Sequence, residues 1–410
     1  MQKAAAGAFG ASGNVIPIMD IGFTVIPKPV TVSLMTNDHK PGTIIAVGGG
    51  KGGVGKSILS IGLGTALAKS GHSVVLADLD LGAANLHTYL GIRGRTPTIV
   101  DFILNKVPSL ENILVETPVP RLGLISGAEF VPGATNPAHW MKLKLMRHLR
   151  ALPADYIIID LGAGVQFNTL DFFGISDRGV VITAPEPGAV MNAYSFVKGA
   201  LFRKMQTIFK NNPDISRIID AETKNPDSEQ RFTLEWFKAT LEQSAPELLP
   251  LIDEIKQSFC PALIINRAPE GQTHLLVKNL ISLCTEKLGI TLEHVGDLPD
   301  VREISNHLLN VPRFLERTEG AAYYASVQSI LERLSRPGTG GDVKRAGAFD
   351  FTDDEREEII RFIDTLDKRV FSAATMNTWK LRMYFKPSEV VGFLISRGIT
   401  HQLFYKFVKT

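Results

Sequence analysis

Gly50-Lys51-Gly52-Gly53-Val54-Gly55-Lys56-Ser57 puts four glycines, two lysines and a hydroxyl into eight consecutive residues. Glycines let successive backbone N–H groups curl around an anion, and a helix opening directly afterwards adds the positive end of its dipole. Lys56 can then meet the outer phosphates of a nucleotide, and the Ser57 hydroxyl can ligate Mg²⁺. A dinucleotide fingerprint fits less well. It has no use for Lys56, and the acids on the second strand come as a pair, Asp78-Leu79-Asp80, rather than as one ribose-binding acid. A carboxylate at that strand end can hold and orient a water, or serve as a turn or helix cap. In Ile157-Ile158-Ile159-Asp160, three apolar residues deliver an acid to a sheet edge, where it can bind Mg²⁺ through water.

These groups need a scaffold that brings them together. Thr43 to Val47 reads as a strand, and Ile58 to Lys69 follows with helical spacing of Leu59, Leu63 and Leu67. Ser73 to Ala77, Tyr156 to Ile159, Gly179 to Thr183 and Ala262 to Ile265 read as further strands with helical stretches between them. Continuous Val/Ile runs alternating with helices imply an α/β fold, a doubly wound and mostly parallel sheet covered on both faces.

Residues 1–40 are expected to be a disordered leader, and 41–335 the nucleotide-binding domain. Within it, 204–257 reads as an insertion, longer than one crossover needs. Residues 336–341 read as a linker, and 342–410 as a small, mainly helical appendage. The chain has 410 residues, 44% of them apolar and 21% charged, which excludes both a small stapled scaffold and wholesale disorder. Lys+Arg 44 against Asp+Glu 42 leaves +2, so no global field draws the molecule onto nucleic acid or lipid. The appendage, however, is polarised. Residues 342–367 carry nine acids against four bases, net −5, and 368–410 carry eight bases against one acid, net +7. Two cysteines, Cys260 and Cys284, supply neither a disulfide framework nor a Cys-x-x-Cys metal site, and a reducing cytoplasm is expected.

Lys51, a second lysine one place into the loop, makes Gly50 to Ser57 resemble the deviant Walker A motif of the MinD/ParA/FlhG family of P-loop ATPases. Asp78-Leu79-Asp80-Leu81-Gly82, Asp160-Leu161-Gly162 and Pro185-Glu186-Pro187 resemble the later segments of that family. The resemblance covers Thr43 to about residue 334. It implies ATP and Mg²⁺ as cofactors and a homodimer in the ATP state, with Lys51 reaching the partner's phosphates. It gives Lys56 the outer phosphates, Asp80 the attacking water, Ser57 and Asp160 the metal, and Asn85 a place near the phosphates. It also has Asn266 hydrogen-bond the adenine, and it puts Pro299 in a loop that covers the other side of the base. The activity implied is slow, partner-stimulated ATP hydrolysis in a switch that controls spatial positioning in division, flagellar or cargo placement. Electron-donating and iron–sulfur-carrier relatives need paired cysteines, and tyrosine-kinase relatives need a tail tyrosine cluster; neither is found here.

Other readings stay open at this point. One is a nucleotide-gated, transcription-linked regulator acting through the appendage; another is an ATP-dependent biosynthetic ligase, for which a trans lysine has no use. Ile399, Leu403, Phe404, Phe407 and Val408 share a helical face flanked by Lys406 and Lys409. Packing against its own domain is what such spacing ordinarily means, and a peripheral site on the inner face of the plasma membrane is the alternative. Few base-reading donors sit on this helix, so nucleic acid is a poor fit.

Overall fold

The computed structural model describes residues 42–335, apart from 81–83, 95, 128–138, 210–211, 213–214, 220–232 and 270–272. The apolar runs become strands β1 (Thr43–Gly48), β2 (Val74–Leu79), β5 (Tyr156–Leu161), β6 (Arg178–Thr183) and β7 (Ala262–Ala268). Three further strands, β3 (Leu114–Glu116), β4 (Leu122–Ile125) and β8 (Glu293–Pro299), complete one sheet in the order β3-β4-β2-β5-β1-β6-β7-β8. All neighbours are parallel except β3 and β4, an antiparallel pair at one edge. The expected doubly wound α/β sheet is therefore present.

Burial on both faces explains the unbroken apolar runs in the central strands, whose polar residues gather toward their ends. Side chains alternate between faces along a strand. Ile44, Ala46, Ile157 and Ile159 enter one core, while Ile45, Val47 and Ile158 enter the other. The first core is covered by α3 (Ile99–Ile103), α4 (His139–Arg150), α5 (Phe167–Gly174), α6 (Pro187–Phe209), α7 (Leu234–Ser244), α8 (Leu249–Ser258) and α9 (His274–Leu288). The second is covered by α1 (Lys56–Lys69), α2 (Leu86–Tyr89), α10 (Val311–Leu315) and α11 (Thr318–Leu334). At about 1.5 to 3 kcal/mol per fully buried Val, Leu, Ile or Phe side chain, these two layers hold rigid the edge on which β1, β2 and β5 end.

The stretch 204–257 does not stand apart from this core. Its expected boundary falls inside α6, and Phe209, Phe237, Leu241, Ile252 and Ile255 are buried with Ile157 and Val197. Phe209 meets Phe237 edge-on with ring centroids 5.3 Å apart. Apolar residues at helical spacing inside a charged stretch pull it onto the sheet. The leader, the linker and the appendage expected from the sequence lie outside the described residues. Among the described residues, no helix is long and apolar enough to cross a membrane.

Candidate functional site

Register does the first part of the assembly. Val47 of β1 lies opposite Asp160 of β5, and Asp160 lies opposite Asp78 of β2. The end of β1, which opens the glycine loop, thus shares one sheet edge with both acids, where a doubly wound sheet binds its ligand. Gly55 takes φ 103°, a left-handed conformation that lets the loop turn into α1. A Cβ there would come within 2.2 Å of the Asn266 amide nitrogen, and one on Gly50 within 1.9 Å of the Asn192 carbonyl oxygen. The loop is therefore clamped between β7 and the start of α6.

Lys56, at the first position of α1, is 8% exposed, and its Nζ donates to the Lys51 carbonyl at 3.4 Å. Burial pulls its pKa down, while Asp160 and Asp80 pull it back up. Asp160 is 2% exposed and accepts hydrogen bonds from the hydroxyls of Ser60, at 3.1 Å, and Ser57. Burial pushes its carboxyl up to about 6. Asp78, 1% exposed, is pushed up to about 8 by burial and then by the charge of Asp160. It accepts the N–H groups of Asp80 at 3.2 Å and Leu86 at 3.1 Å, so it fixes the backbone at Asp80 and at the start of α2. The Asp80 carboxylate leans over the end of β5, where a Cβ on Gly162 would be 3.2 Å from its Oδ1.

The cradle fits a nucleotide phosphate. Its glycine backbone and helix start favour an anion, and one buried lysine stands beside it among carboxylates. Ser57 and Asp160 are hard oxygen donors of the kind Mg²⁺ takes, with phosphate and water left to complete its shell. Among the described residues, no group of three or more His, Cys, Asp or Glu side chains offers a competing metal site.

The expected residues do not all stand as anticipated. Asn266 is 6% exposed, and its Nδ2 donates to the Val54 carbonyl at 2.8 Å, so the amide is tied to the loop. Pro299 ends β8, paired with Ala268, so of the stretch Asp297 to Asp300 expected as a covering loop the first three residues belong to an edge strand. Proline is tolerated there because no further strand needs its missing N–H. Asn85 is exposed and precedes α2, next to Leu86, whose N–H the buried Asp78 accepts. Lys51 is 43% exposed, and its Nζ lies 2.6 Å from Glu186 Oε2 of the same chain. That contact, with Arg267 nearby, holds the Glu186 carboxyl below its usual range.

Three contacts could not be read from the motifs, although Glu186 itself lies in Pro185-Glu186-Pro187. Ser60 sits one turn beyond Ser57 on the buried side of α1, Glu186 anchors Lys51, and Arg267 donates to the Gly53 carbonyl at 3.2 Å. Arg267 adopts φ 55°, unusual for a residue with a Cβ, and this backbone turn accompanies its reach to the loop. A positive φ at arginine leaves no trace in a sequence.

The family model described as the CobQ/CobB/MinD/ParA nucleotide binding domain matches residues 45–306. The antiactivator FleN of Pseudomonas aeruginosa is 31% identical over 166 residues, 38% of this chain and 56% of that protein. The flagellum site-determining protein YlxH of Helicobacter pylori is 35% identical over 168 residues, 39% of this chain and 55% of that protein. The matches thus span little more than half the length of these relatives. The septum site-determining protein MinD of Pyrococcus horikoshii, solved with Mg-ADP, aligns with a TM-score of 0.48 at 17% identity, covering 73% of this chain and 99% of that one.

Proposed function

Because the chain belongs to the family of CobQ/CobB/MinD/ParA nucleotide-binding domains, we propose that it is an Mg²⁺-dependent ATPase switch that dimerises with ATP and controls spatial positioning. The observation that carries this reading is Lys51. A second loop lysine, half exposed and held at the surface by Glu186, is not needed to grip phosphate within one chain, because Lys56 already occupies that place. Released from Glu186, its ammonium is free to neutralise phosphate charge in a facing copy.

In hydrolysis, water attacks the γ-phosphorus as the bond to the bridging oxygen breaks, and inorganic phosphate and ADP leave. Asp80 accepts a hydrogen bond from that water, and Lys56 stabilises the charge growing on the phosphoryl oxygens. Mg²⁺, held by Ser57 and Asp160, would supply further neutralisation of the phosphates. The glycine loop contributes N–H donors, with Asn266 and Arg267 keeping it in shape. Asn85 and Pro299 stay candidates for the rim of the nucleotide pocket. The names of FleN and YlxH support a role in flagellar placement or its regulation. A protein partner that speeds turnover, a cytoplasmic location and a peripheral membrane contact through the appendage complete the reading.

The test is steady-state ATP hydrolysis against protein concentration, with light scattering for mass, for wild type and Lys51→Ala. Wild type should gain mass with ATP and turn over faster per monomer as concentration rises, while Lys51→Ala does neither. Equal monomeric behaviour of the two proteins would remove the dimer switch. FleN's description as an antiactivator favours a second reading, a regulator that uses nucleotide binding alone to engage a transcription-linked target. Full partner affinity in a non-hydrolysing Asp80→Ala protein, with no turnover in wild type either, would select it.

A further inference from the structure

On the second face of the sheet, the 3-10 segment Arg302–Asn310 leads into α10 and leaves a groove of about 190 Å³. Asn306, His307, Asn310, Arg313, Phe314 and Arg317 line it. Backbone helicity breaks at His307 (φ −121°), whose ring stacks on Phe314 with centroids 5.2 Å apart. At the rim Leu309 is 72% exposed. The groove therefore combines an aromatic and aliphatic shelf with two guanidinium groups, and no carboxylate lines it.

The two arginines stand out. Arg150, Arg178, Arg203 and Arg333 each donate to a carbonyl or carboxylate. Arg313 and Arg317 are exposed, and among the described residues neither side chain has such a partner. Glu316 lies between them in sequence but pairs with Lys69 of α1 at 2.7 Å, so it does not neutralise them. Glu303 and Glu319 flank the stretch without lining the groove.

A complement exists in the chain itself. Residues 349–358, Phe349-Asp350-Phe351-Thr352-Asp353-Asp354-Glu355-Arg356-Glu357-Glu358, carry six acids against one base, beside two phenylalanines. Reach allows an intrachain contact. The 17 residues of α11 separate Arg317 from Ser335 by about 25 Å at 1.5 Å per residue. The 14 residues from Ser335 to Phe349 can span up to roughly 46 Å. We propose that this groove is the docking site for residues 349–358 of the same chain. Their carboxylates meet Arg313 and Arg317, and their phenylalanines cover Leu309 and the His307 ring. Such docking sets the appendage beside α2, since a Cβ on Gly91, just past that helix, would be 3.1 Å from the Leu309 carbonyl oxygen. The inference is independent of the nucleotide reading.

The test uses the full-length chain with Leu309→p-benzoylphenylalanine as a photoprobe, with cross-links mapped by mass spectrometry. Intrachain cross-links to residues 345–367 are expected, lost at about 0.5 M salt because exposed charge pairs are screened. They should also vanish when Asp353, Asp354, Glu355, Glu357 and Glu358 are changed to their amides. Amide exchange of residues 302–317 should then quicken about threefold, the scale of losing a few exposed ion pairs. Cross-links that join two chains, cross-links that avoid the acidic segment, or exchange unchanged by neutralisation would overturn the proposal. So would slowing of that exchange by inorganic phosphate with no dependence on the segment's acids, which would mark a small-anion site instead.

Discussion

Asn266→Ala separates two roles for one amide. In the structure its Nδ2–H bonds the Val54 carbonyl, and both residues are buried. Removing the donor leaves that carbonyl without its amide partner, at a cost of about 1 to 3 kcal/mol. The cheapest relief is for the loop to move until water reaches Val54, which withdraws the phosphate-ready shape. If about 1 to 2 kcal/mol must be spent to restore that shape on binding, affinity falls roughly 5- to 30-fold. The loss is common to every nucleotide carrying the same phosphates. Titration calorimetry with ATP, ADP and GTP should therefore show parallel weakening, with binding enthalpy still measurable. Weakening confined to the adenine nucleotides would show that the amide reads the base. Unchanged affinity for all three would refute the tether.

Gly55→Ala should abolish ATP binding in the same titration, because the residue sits at φ 103° and its new methyl would meet the Asn266 amide; retained binding would show that the loop can relax. Glu186→Gln removes the carboxylate that holds Lys51. Light scattering should then find the ATP-dependent mass increase at lower protein concentration, with the thermal midpoint unmoved; a mass increase needing more protein would refute a restraining role. Asp171 accepts charge-assisted bonds from Lys142 and Arg203 and ties α4, α5 and α6 together. Asp171→Ala should cost about 3 to 5 kcal/mol in urea unfolding, as breaking a buried pair does, and a loss below about 1 kcal/mol would show that the cations find water. Burial raises Asp78 to about 8, so the folded protein keeps a proton that the unfolded chain releases near pH 4. That stabilisation is full at pH values below the unfolded pKa and is lost as pH climbs through about 8. Urea midpoints should fall over this window and flatten in Asp78→Asn; an equally steep fall in the variant would assign the effect elsewhere.

Much of the site could be read directly, because its chemistry is local. Phosphate-loop function needs glycines, a lysine and a hydroxyl within eight residues, and spacing alone displays them. The central strands were legible for a related reason. A parallel strand covered on both faces is apolar through its middle, and β1, β2, β5, β6 and β7 each hold such a run, with polar residues gathered toward their ends. Strands β3 and β4 are too short to show a period, and β8 hides behind Gly296 and Pro299, which an edge accommodates and a central strand would not. Likewise the charge of 204–257 masks a sparse helical stripe, Phe209, Phe237, Leu241, Ile252 and Ile255, that only the packing reveals as core.

What the sequence determined by itself is the list of reactive groups and the strands that carry them. Tertiary structure decided their partners. Asn266 reaches Val54 across 212 residues, Lys51 finds Glu186 across 135, and Ser60 meets Asp160 across 100. Each pairing follows from the order of β2, β5, β1, β6 and β7 in the sheet and from the register aligning Asp78, Asp160 and Val47. Strand order is set by which faces bury best against the helices, a sum over the whole core that no local spacing encodes.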